Sequence, residues 1–337
     1  MAKRIGRRTV QLTHPVRLIA SAAVGGKKEG EGPLREYFDQ IFPDTTLQEP
    51  SWEKAESHLQ TEAVQRALKK AGLPAAQVDL ILAGDLLNQC IGSAFGLRAL
   101  GIPFLGQYGA CSTMAQTLAV GAMLIDGGSA SHAVAVTSSH FCAAERQFRF
   151  PLEYGSVRPP TAQWTVTAAG AAVLSAAGQG PRIDAVTVGK IVDLGIADAN
   201  NMGAAMAPAA ADTLLAYFRD TGTQPADFDA IVTGDLGATG TRLFAELLAR
   251  EGIDVQPKHA DCGQLIFDRD TQQVDSGGSG CGCAGSVLCG YWMQRMRAGA
   301  VRDLLFMATG ALMSTTSSQQ GESIPGIAHL LRIRADS

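Results

Sequence analysis

The chain has 337 residues and a formal net charge of −4, with 28 Lys and Arg against 32 Asp and Glu. This balance lacks the basic footprint of a nucleic-acid-binding domain. A composition of 46% hydrophobic and 18% charged residues indicates a globular protein with a large core, and the absence of an uncharged apolar run of about 18 residues predicts no transmembrane segment.

The first half of the chain alternates predicted strands and helices. Residues 18–24 form a short apolar run, which predicts the first core strand. Residues 57–86 contain a helical period, a Gly-Leu-Pro stop and a buried strand that ends in Gly84-Asp85-Leu86. Residues 109–139 contain a turn of small residues around Cys111, a second helix and a strand that reaches Thr137.

The second half repeats this plan. Residues 209–236 again give helix, turn and strand and end in Gly234-Asp235-Leu236, a shift of 150 residues. Residues 280–310 repeat the small-residue turn, helix and strand, with Cys283 and Thr309 spaced by 26 residues as Cys111 and Thr137 are. The repeat predicts two pseudo-symmetric halves, residues 1–180 with an insertion at 138–164, and residues 181–337.

Alternating strands and helices imply parallel sheets covered by helices, with sites at strand carboxyl ends and helix amino-termini. Cys111 and the Cys281/Cys283 pair each precede a predicted helix, so the two-fold plan lets them face one pocket. The seven cysteines are an odd number in a long chain, which favours reduced thiols over a disulfide scaffold. The spacing of Cys281, Cys283 and Cys289 lacks the paired pattern of a zinc site, and no metal or cofactor is predicted.

Three segments resemble the thiolase and β-ketoacyl synthase superfamily. These are the cysteine turn at 108–128, the strand Thr165–Ala177, and "SGGSGCGCAGS" at 276–286. The resemblance implies an α/β fold, thiolase-like, with duplicated halves in a five-layer α/β/α/β/α arrangement. In that superfamily the cysteine is a nucleophile with histidine partners. Here Ser279 occupies the thiolase histidine position, and the synthase histidine position falls in "TGDLGATG", which has none.

Residues 136–170, together with "GGKKEGEGPL" at 25–34, resemble the stage V sporulation protein AD family. The resemblance implies a non-catalytic thiolase-fold protein that binds dipicolinic acid, alone or as its calcium chelate, for uptake into the developing bacterial spore. It also implies a homodimer, other stage V sporulation A membrane proteins as partners, and peripheral association with the inner spore membrane. The alternative is an acyl-transfer or condensing enzyme that uses Cys111.

Dipicolinate is a planar dianion, so its site needs cations, amide donors and a flat aromatic wall. The candidate ligand-binding residues are Cys111, Lys28, Asp85, His140, Arg146, Arg149, Trp164, Ser279 and Cys281. Three alternatives stay open: residues 140–164 as a structural insertion at a dimer interface, Lys28 on a solvated loop, and Asp85 as a helix cap rather than a calcium ligand. Cys111 is a pocket residue, a nucleophile or a core residue.

Overall fold

The computed structural model describes residues 3–149 and 158–335, with the side chain of Arg149 outside the described part. The strands are β1 Lys3–Ile5, β2 Thr9–Gly25, β3 Gln40–Ile41, β4 Leu80–Gly84, β5 Phe104–Gly106, β6 His132–Ser139, β7 Trp164–Thr165, β8 Ala168–Ser175, β9 Arg182–Thr187, β10 Ala230–Thr233, β11 His259–Asp261, β12 Gly278–Ser279, β13 Asp303–Ala311 and β14 Gly326–Arg334. The helices are α1 Trp52–Ala71, α2 Ile91–Leu97, α3 Thr113–Asp126, α4 Phe141–Arg149, α5 Met202–Thr221, α6 Gly237–Arg250, α7 Cys262–Leu265, α8 Cys281–Val287, α9 Met293–Arg297 and α10 Thr315–Gln319.

Local sequence sets the helix ends that the repeat predicts. The Ser51 hydroxyl accepts a hydrogen bond from the Lys54 amide at the start of α1. At the C-termini of α1 and α5, Gly72 and Gly222 adopt the left-handed conformation, with φ of 64° and 70°, which glycine reaches without steric cost. The first core strand is longer than predicted, because β2 begins at Thr9 rather than near Leu18.

One large sheet carries both halves. Its strand order is β11-β10-β13-β14-β9-β2-β8-β6-β4-β5, with β1 and β3 pairing to β2. From the central β2–β9 pair, the sheet continues on one side through β8, β6, β4 and β5, and on the other through β14, β13, β10 and β11. The two sides follow the same plan, and the predicted boundary between residues 180 and 181 falls between β8 and β9. In each half the strand after the small-residue helix pairs in parallel with the preceding "GDL" strand, as β6 does with β4 and β13 with β10.

Helices cover the sheet and also fill its centre. α1 packs on β2, β6 and β8 of the first half, and α5 packs on β13 and β14 of the second. α3 contacts strands of both halves, and α8 contacts β6 and β8 while the Cys283 thiol faces the Gly234 carbonyl beyond β10. This α/β/α/β/α layering places the N-termini of α3 and α8 together at the middle of the molecule.

Close backbone contact holds α8 against the first half. A Cβ on Gly170 in β8 would lie 2.1 Å from the Gly285 carbonyl of α8, so neither backbone has room for a side chain there. Likewise, a Cβ on Gly310, at the end of β13, would lie 2.4 Å from the Gly109 carbonyl of the cysteine turn. Among the described residues, no helix is long and apolar enough to cross a bilayer.

Candidate functional site

The cysteine turn presents Cys111 at the start of α3. Ala110, just before it, has a φ of 49°, a left-handed conformation that costs free energy in a residue with a side chain. The Ser112 hydroxyl donates to the Gly109 carbonyl over 2.6 Å and the Thr113 hydroxyl donates to the Ala110 carbonyl over 2.6 Å. These bonds hold the turn in the shape that directs the Cys111 thiol away from the sheet.

A narrow cleft opens over this thiol. The residues that line it are Leu86, Tyr108, Ala110, Cys111, Ala144, Glu145, Phe148, Thr165, Met202, Ser279, Ala311 and Met313. Its walls therefore come from both halves and from α4, at the strand carboxyl ends where α/β folds bind ligands. Most of these side chains are apolar, and Glu145 is the one carboxylic acid among the described lining residues.

Asp235 is the ionisable partner of Cys111. It follows β10, is fully buried, and lies close enough to the Cys111 thiol for each group to shift the pKa of the other. Its carboxyl oxygens also accept hydrogen bonds from the Thr309 hydroxyl at 2.9 Å and the Gly280 amide at 2.8 Å. Burial raises the pKa of Asp235 to about 7, since desolvation disfavours the charged form.

The Cys111 thiol is held in its neutral form. Burial is the first cause that raises its pKa well above 9, and the adjacent Asp235 carboxylate raises that pKa further. The dipole at the start of α3 favours the thiolate and so opposes both effects. The pKa of Cys111 nevertheless stays raised. A thiol in this environment is a poor nucleophile at neutral pH.

No histidine meets this thiol, although all six histidines lie in the described part of the chain. The His140 ring nitrogen Nε2 bonds to the Thr45 carbonyl at 2.8 Å, and burial lowers the pKa of His140. His259 Nε2 bonds to the Thr233 hydroxyl at 2.9 Å, and burial lowers the pKa of His259 to about 4. Both rings are therefore neutral and are used by the fold.

Of the predicted site residues, Cys111 and Ser279 line the cleft and Cys281 and Asp85 do not. Cys281 is buried behind the wall, where its thiol donates to the Ser138 carbonyl over 2.9 Å. Asp85 is buried as well, and its oxygens accept hydrogen bonds from the amides of Leu87 and Ser93 and from the Ser93 hydroxyl. This carboxylate serves the turn into α2, as the capping alternative predicted.

Lys28 and Trp164 lie together beside the cleft, in what we term the cation–aromatic cluster: Lys28, Phe141, Arg158 and Trp164. The Phe141 and Trp164 rings stack with centroids 4.0 Å apart and planes 17° apart. The Lys28 Nζ lies 4.3 Å from the Trp164 ring centroid, and the Arg158 guanidinium lies 5.4 Å from it. The Lys28 ammonium also donates to the Gln272 carbonyl over 2.5 Å.

Two links connect the cluster to the cleft. Trp164 precedes Thr165, a lining residue, in β7, and Arg158 forms an ion pair with Glu145 at 3.4 Å. Glu145 in turn accepts a hydrogen bond from the Thr165 hydroxyl at 3.0 Å. The cluster therefore places two cations and two stacked aromatic rings next to the lining residues Glu145 and Thr165 of a largely apolar cleft.

Two predicted residues of the 138–164 insertion, His140 and Arg146, do not line the cleft. His140 is buried against Thr45, as described above. Arg146 lies on the exposed side of α4, where it pairs with Glu53 and lies over the Trp52 ring. Arg149 ends α4, and its side chain lies outside the described residues.

Sequence reasoning did not assign Asp235 or Phe141 to the site, whereas pairing of an insertion arginine with Glu145 belongs to the structural alternative for that segment. One signal existed for Asp235, because it lies in the "TGDLGATG" segment that matches the synthase histidine position. Because Asp235 duplicates the position of Asp85, the sequence instead favoured a helix-capping role for it. In the structure the two aspartates differ, since only Asp235 contacts Cys111.

Comparison with known proteins places the chain in a family. The profile of the stage V sporulation protein AD (SpoVAD) family matches residues 6–334. A relative from Bacillus subtilis (strain 168), "Stage V sporulation protein AD", is 46% identical over 327 residues, which cover 97% of this chain and 96% of the relative. The chain belongs to the stage V sporulation protein AD family. The resemblance noted in the sequence is thereby confirmed.

Solved structures confirm the thiolase-like fold. The 3-oxoacyl-[acyl-carrier-protein] synthase III of Aquifex aeolicus VF5 superposes with a TM-score of 0.59 at 13% identity, covering 95% of this chain and 99% of that one. A histidine-to-aspartate variant of OleA from Xanthomonas campestris superposes with a TM-score of 0.62 at 14% identity, covering 96% and 99% of the two chains. At these identities the likeness shows the fold alone.

Replacing Asp235 by asparagine should change the pH dependence of stability. The pKa of Asp235 is raised in the folded state to about 7, so its contribution is fully present below about pH 4 and is lost as the pH rises through 7. Asparagine does not titrate. The unfolding free energy of Asp235→Asn relative to the parent should therefore improve by roughly 2–4 kcal/mol between about pH 4 and pH 8.

Urea unfolding across this pH range measures the difference. The exposed Asp254→Asn variant is the control, and it should follow the parent at every pH. A constant offset between Asp235→Asn and the parent, with no trend in pH, would show that the Asp235 carboxyl titrates normally in the folded protein.

Proposed function

We propose that this protein binds dipicolinate (pyridine-2,6-dicarboxylate), alone or as its calcium chelate, for uptake into the developing spore, and that it catalyses no acyl transfer. The observation that carries the proposal is the cation–aromatic cluster beside the cleft. Family membership establishes a sporulation protein with a thiolase-like fold. The ligand and the absence of catalysis are the further steps.

The cluster combines the groups that a planar aromatic dianion requires. A guanidinium donates two parallel hydrogen bonds to a carboxylate, and an ammonium supplies a compact positive charge. Lys28 and Arg158 both lie close to the Trp164 ring, so two cations flank one aromatic pair. The carboxylates of a planar dianion beside this pair would meet the two cations, while its ring would contact the aromatic side chains.

Glu145 provides a separate reason to propose the calcium chelate of dipicolinate as the ligand. This buried acid lies in the cleft wall next to Arg158, where it would repel a bare dianion that entered deeply. A calcium ion prefers carboxylate oxygens, so Glu145 suits the metal of a chelate whose own carboxylates face Lys28 and Arg158. No group of three or more His, Cys, Asp or Glu among residues 3–149 and 158–335 forms a metal site by itself.

The environment of Cys111 supports a binding rather than a catalytic role. A condensing enzyme needs a thiolate, a base to remove its proton and donors for the developing oxyanion. Here the ionisable neighbour of the thiol is a carboxyl group, which opposes thiolate formation. The imidazoles of His140 and His259 are bonded elsewhere.

A second candidate is acyl transfer through Cys111, and one observation favours it. The strained turn at Ala110 and the exposure of Cys111 to the cleft keep the thiol in a reactive position. Asp235, with a pKa raised to about 7, would then have to accept the thiol proton. This candidate requires a stable acyl intermediate on Cys111.

The homodimer inferred from the family resemblance is also part of the proposal. Strand β5 ends the sheet, and Phe104 and Leu105 in it are 40% and 47% exposed. Phe95 and Tyr108 expose apolar surface nearby, at 53% and 43%. An exposed apolar sheet edge is suited to pairing with another chain. The stage V sporulation A membrane proteins remain the proposed partners.

Calorimetry with dipicolinate and with its calcium chelate tests the binding function. Lys28→Met keeps the aliphatic stem over Trp164 and removes the charge, so it should weaken dipicolinate binding by about 10–100-fold. Lys27→Met is the matched control, because Lys27 is exposed and pairs with Glu31 at 3.9 Å, and it should bind as the parent does. Absence of heat and of thermal stabilisation with both ligand forms would refute the proposal.

Incubation with acetyl-CoA or an acyl-carrier thioester, followed by intact-mass measurement, tests the alternative. We expect no acyl adduct on the parent, because Cys111 is neutral and lacks an imidazole base. Cys111→Ser provides the reference for unspecific acylation. An adduct on the parent that is missing from Cys111→Ser would establish the second candidate instead.

A further inference from the structure

Six basic side chains gather near the chain's amino-terminus on a protein whose overall charge is negative. We term them the basic face: Lys3, Arg4, Arg7, Arg8, Lys190 and Arg219. The side chains of Arg7, Arg8, Lys190 and Arg219 surround one surface depression of about 900 Å³ together with Asp212 and Asp220. Lys3 and Arg4 extend it along β1, which pairs with β2 through Gln11 and Val10.

The carboxylates of this region leave the basic face strongly positive. Asp212 pairs with both Arg8, at 2.7 Å, and Lys190, at 3.0 Å. Asp220 accepts hydrogen bonds from the backbone amides of Arg7 and Arg8 at 2.9 Å each. Its charge therefore fixes the turn before β2. With the exposed Asp193, three residues after Lys190, six cations stand against three carboxylates, in contrast with the net charge of −4 for the whole chain.

An exposed apolar segment lies directly beside the basic face. Val188, Ile191 and Leu194 are 43%, 62% and 65% exposed, and the Val188 amide donates to the Arg8 carbonyl over 3.3 Å. The same segment is fixed from its other side. The Val192 amide donates to the Gly326 carbonyl, and the Ile196 carbonyl accepts from the Ile324 amide.

With its backbone held in this way, the segment turns some of its apolar side chains toward the core and others toward solvent. Val192 and Ile196 pack against the core of the second half, while Ile191 and Leu194 point outward. Large aliphatic side chains held in water next to a cluster of cations form an amphipathic surface. Such surfaces bind at membrane interfaces, where aliphatic groups enter the headgroup boundary and cations attract anionic lipids.

We propose that the basic face and the Val188–Leu194 segment bind an anionic phospholipid bilayer. The cations would meet the lipid headgroup phosphates, and Ile191 and Leu194 would enter the boundary between headgroups and acyl chains. The inference rests on the proposed function in one respect, since it gives the membrane-associated protein its docking surface. Charge complementarity and the exposed aliphatic pair favour a bilayer over a soluble anion, which would leave Ile191 and Leu194 in water.

Vesicle co-sedimentation of the full chain tests this inference without dipicolinate, so its outcome is independent of the ligand-binding proposal. The probes are phosphatidylcholine vesicles with and without phosphatidylglycerol, at low and high salt. We expect binding to the anionic vesicles only, weakened by salt. Arg7→Gln combined with Arg219→Gln should lower the partition coefficient roughly 25-fold, at about five-fold for each cation removed.

A second pair of variants separates the apolar contribution. Ile191→Ser with Leu194→Ser should weaken binding to anionic vesicles by at least about ten-fold, while Lys69→Gln with Ile91→Ser, on the α1–α2 side of the molecule, should bind as the parent does. The inference is overturned if the parent binds neither vesicle, which would leave an acidic protein as the partner of the basic face. Equal loss in the control pair would overturn it as well.

Discussion

A buried carboxyl group in contact with a buried thiol governs the chemistry of this molecule. Asp235 lies against Cys111 at the junction of the two halves, and its carboxyl group accepts hydrogen bonds from Gly280 and Thr309 of the second half. The fold therefore keeps the geometry that presents a nucleophile, including the strained residue at 110, while burial and the neighbouring carboxyl group disfavour the thiolate. Site chemistry of this kind, rather than the fold, determines what a protein of this architecture does.

The two halves contribute unequally to the cleft, which explains how one duplicated plan acquired a single site. In the first half Asp85 serves its own turn, whereas its counterpart Asp235 reaches across to Cys111. The close approach of Gly170 to Gly285 brings α8 against the first half and sets Ser279 in the cleft wall. The insertion then adds α4 and the Phe141, Arg158 and Trp164 side chains on one side only, and the loop after β2 adds Lys28. The proposed binding groups thus lie on this insertion and this loop, and the framework that positions them is the repeat.

The repeat was visible in the sequence because apolar periodicity and small-residue turns depend on local chain geometry. The helices at 52–71 and 202–221, the strands after them and the cysteine turn followed from this pattern. The pairing of side chains across the halves did not, because it depends on contacts between residues more than 100 positions apart. Asp235 beside Cys111 is of this kind, and Lys28 beside Trp164 is likewise a contact between residues more than 100 positions apart. His140 and Arg146 contact Thr45 and Glu53 instead of lining the cleft, and composition does not reveal these distant partners.

The ionisation of Cys111 is the most direct test of this account. The rate of alkylation by iodoacetamide, followed at this residue by peptide mass measurement across a pH series, reports the thiolate fraction, and Cys111→Ser identifies the signal. The account predicts slow modification at neutral pH and a rate that still rises beyond pH 9, because burial and Asp235 raise the pKa of the thiol. A rate that reaches its plateau below about pH 8, the range of activated cysteines, would contradict it.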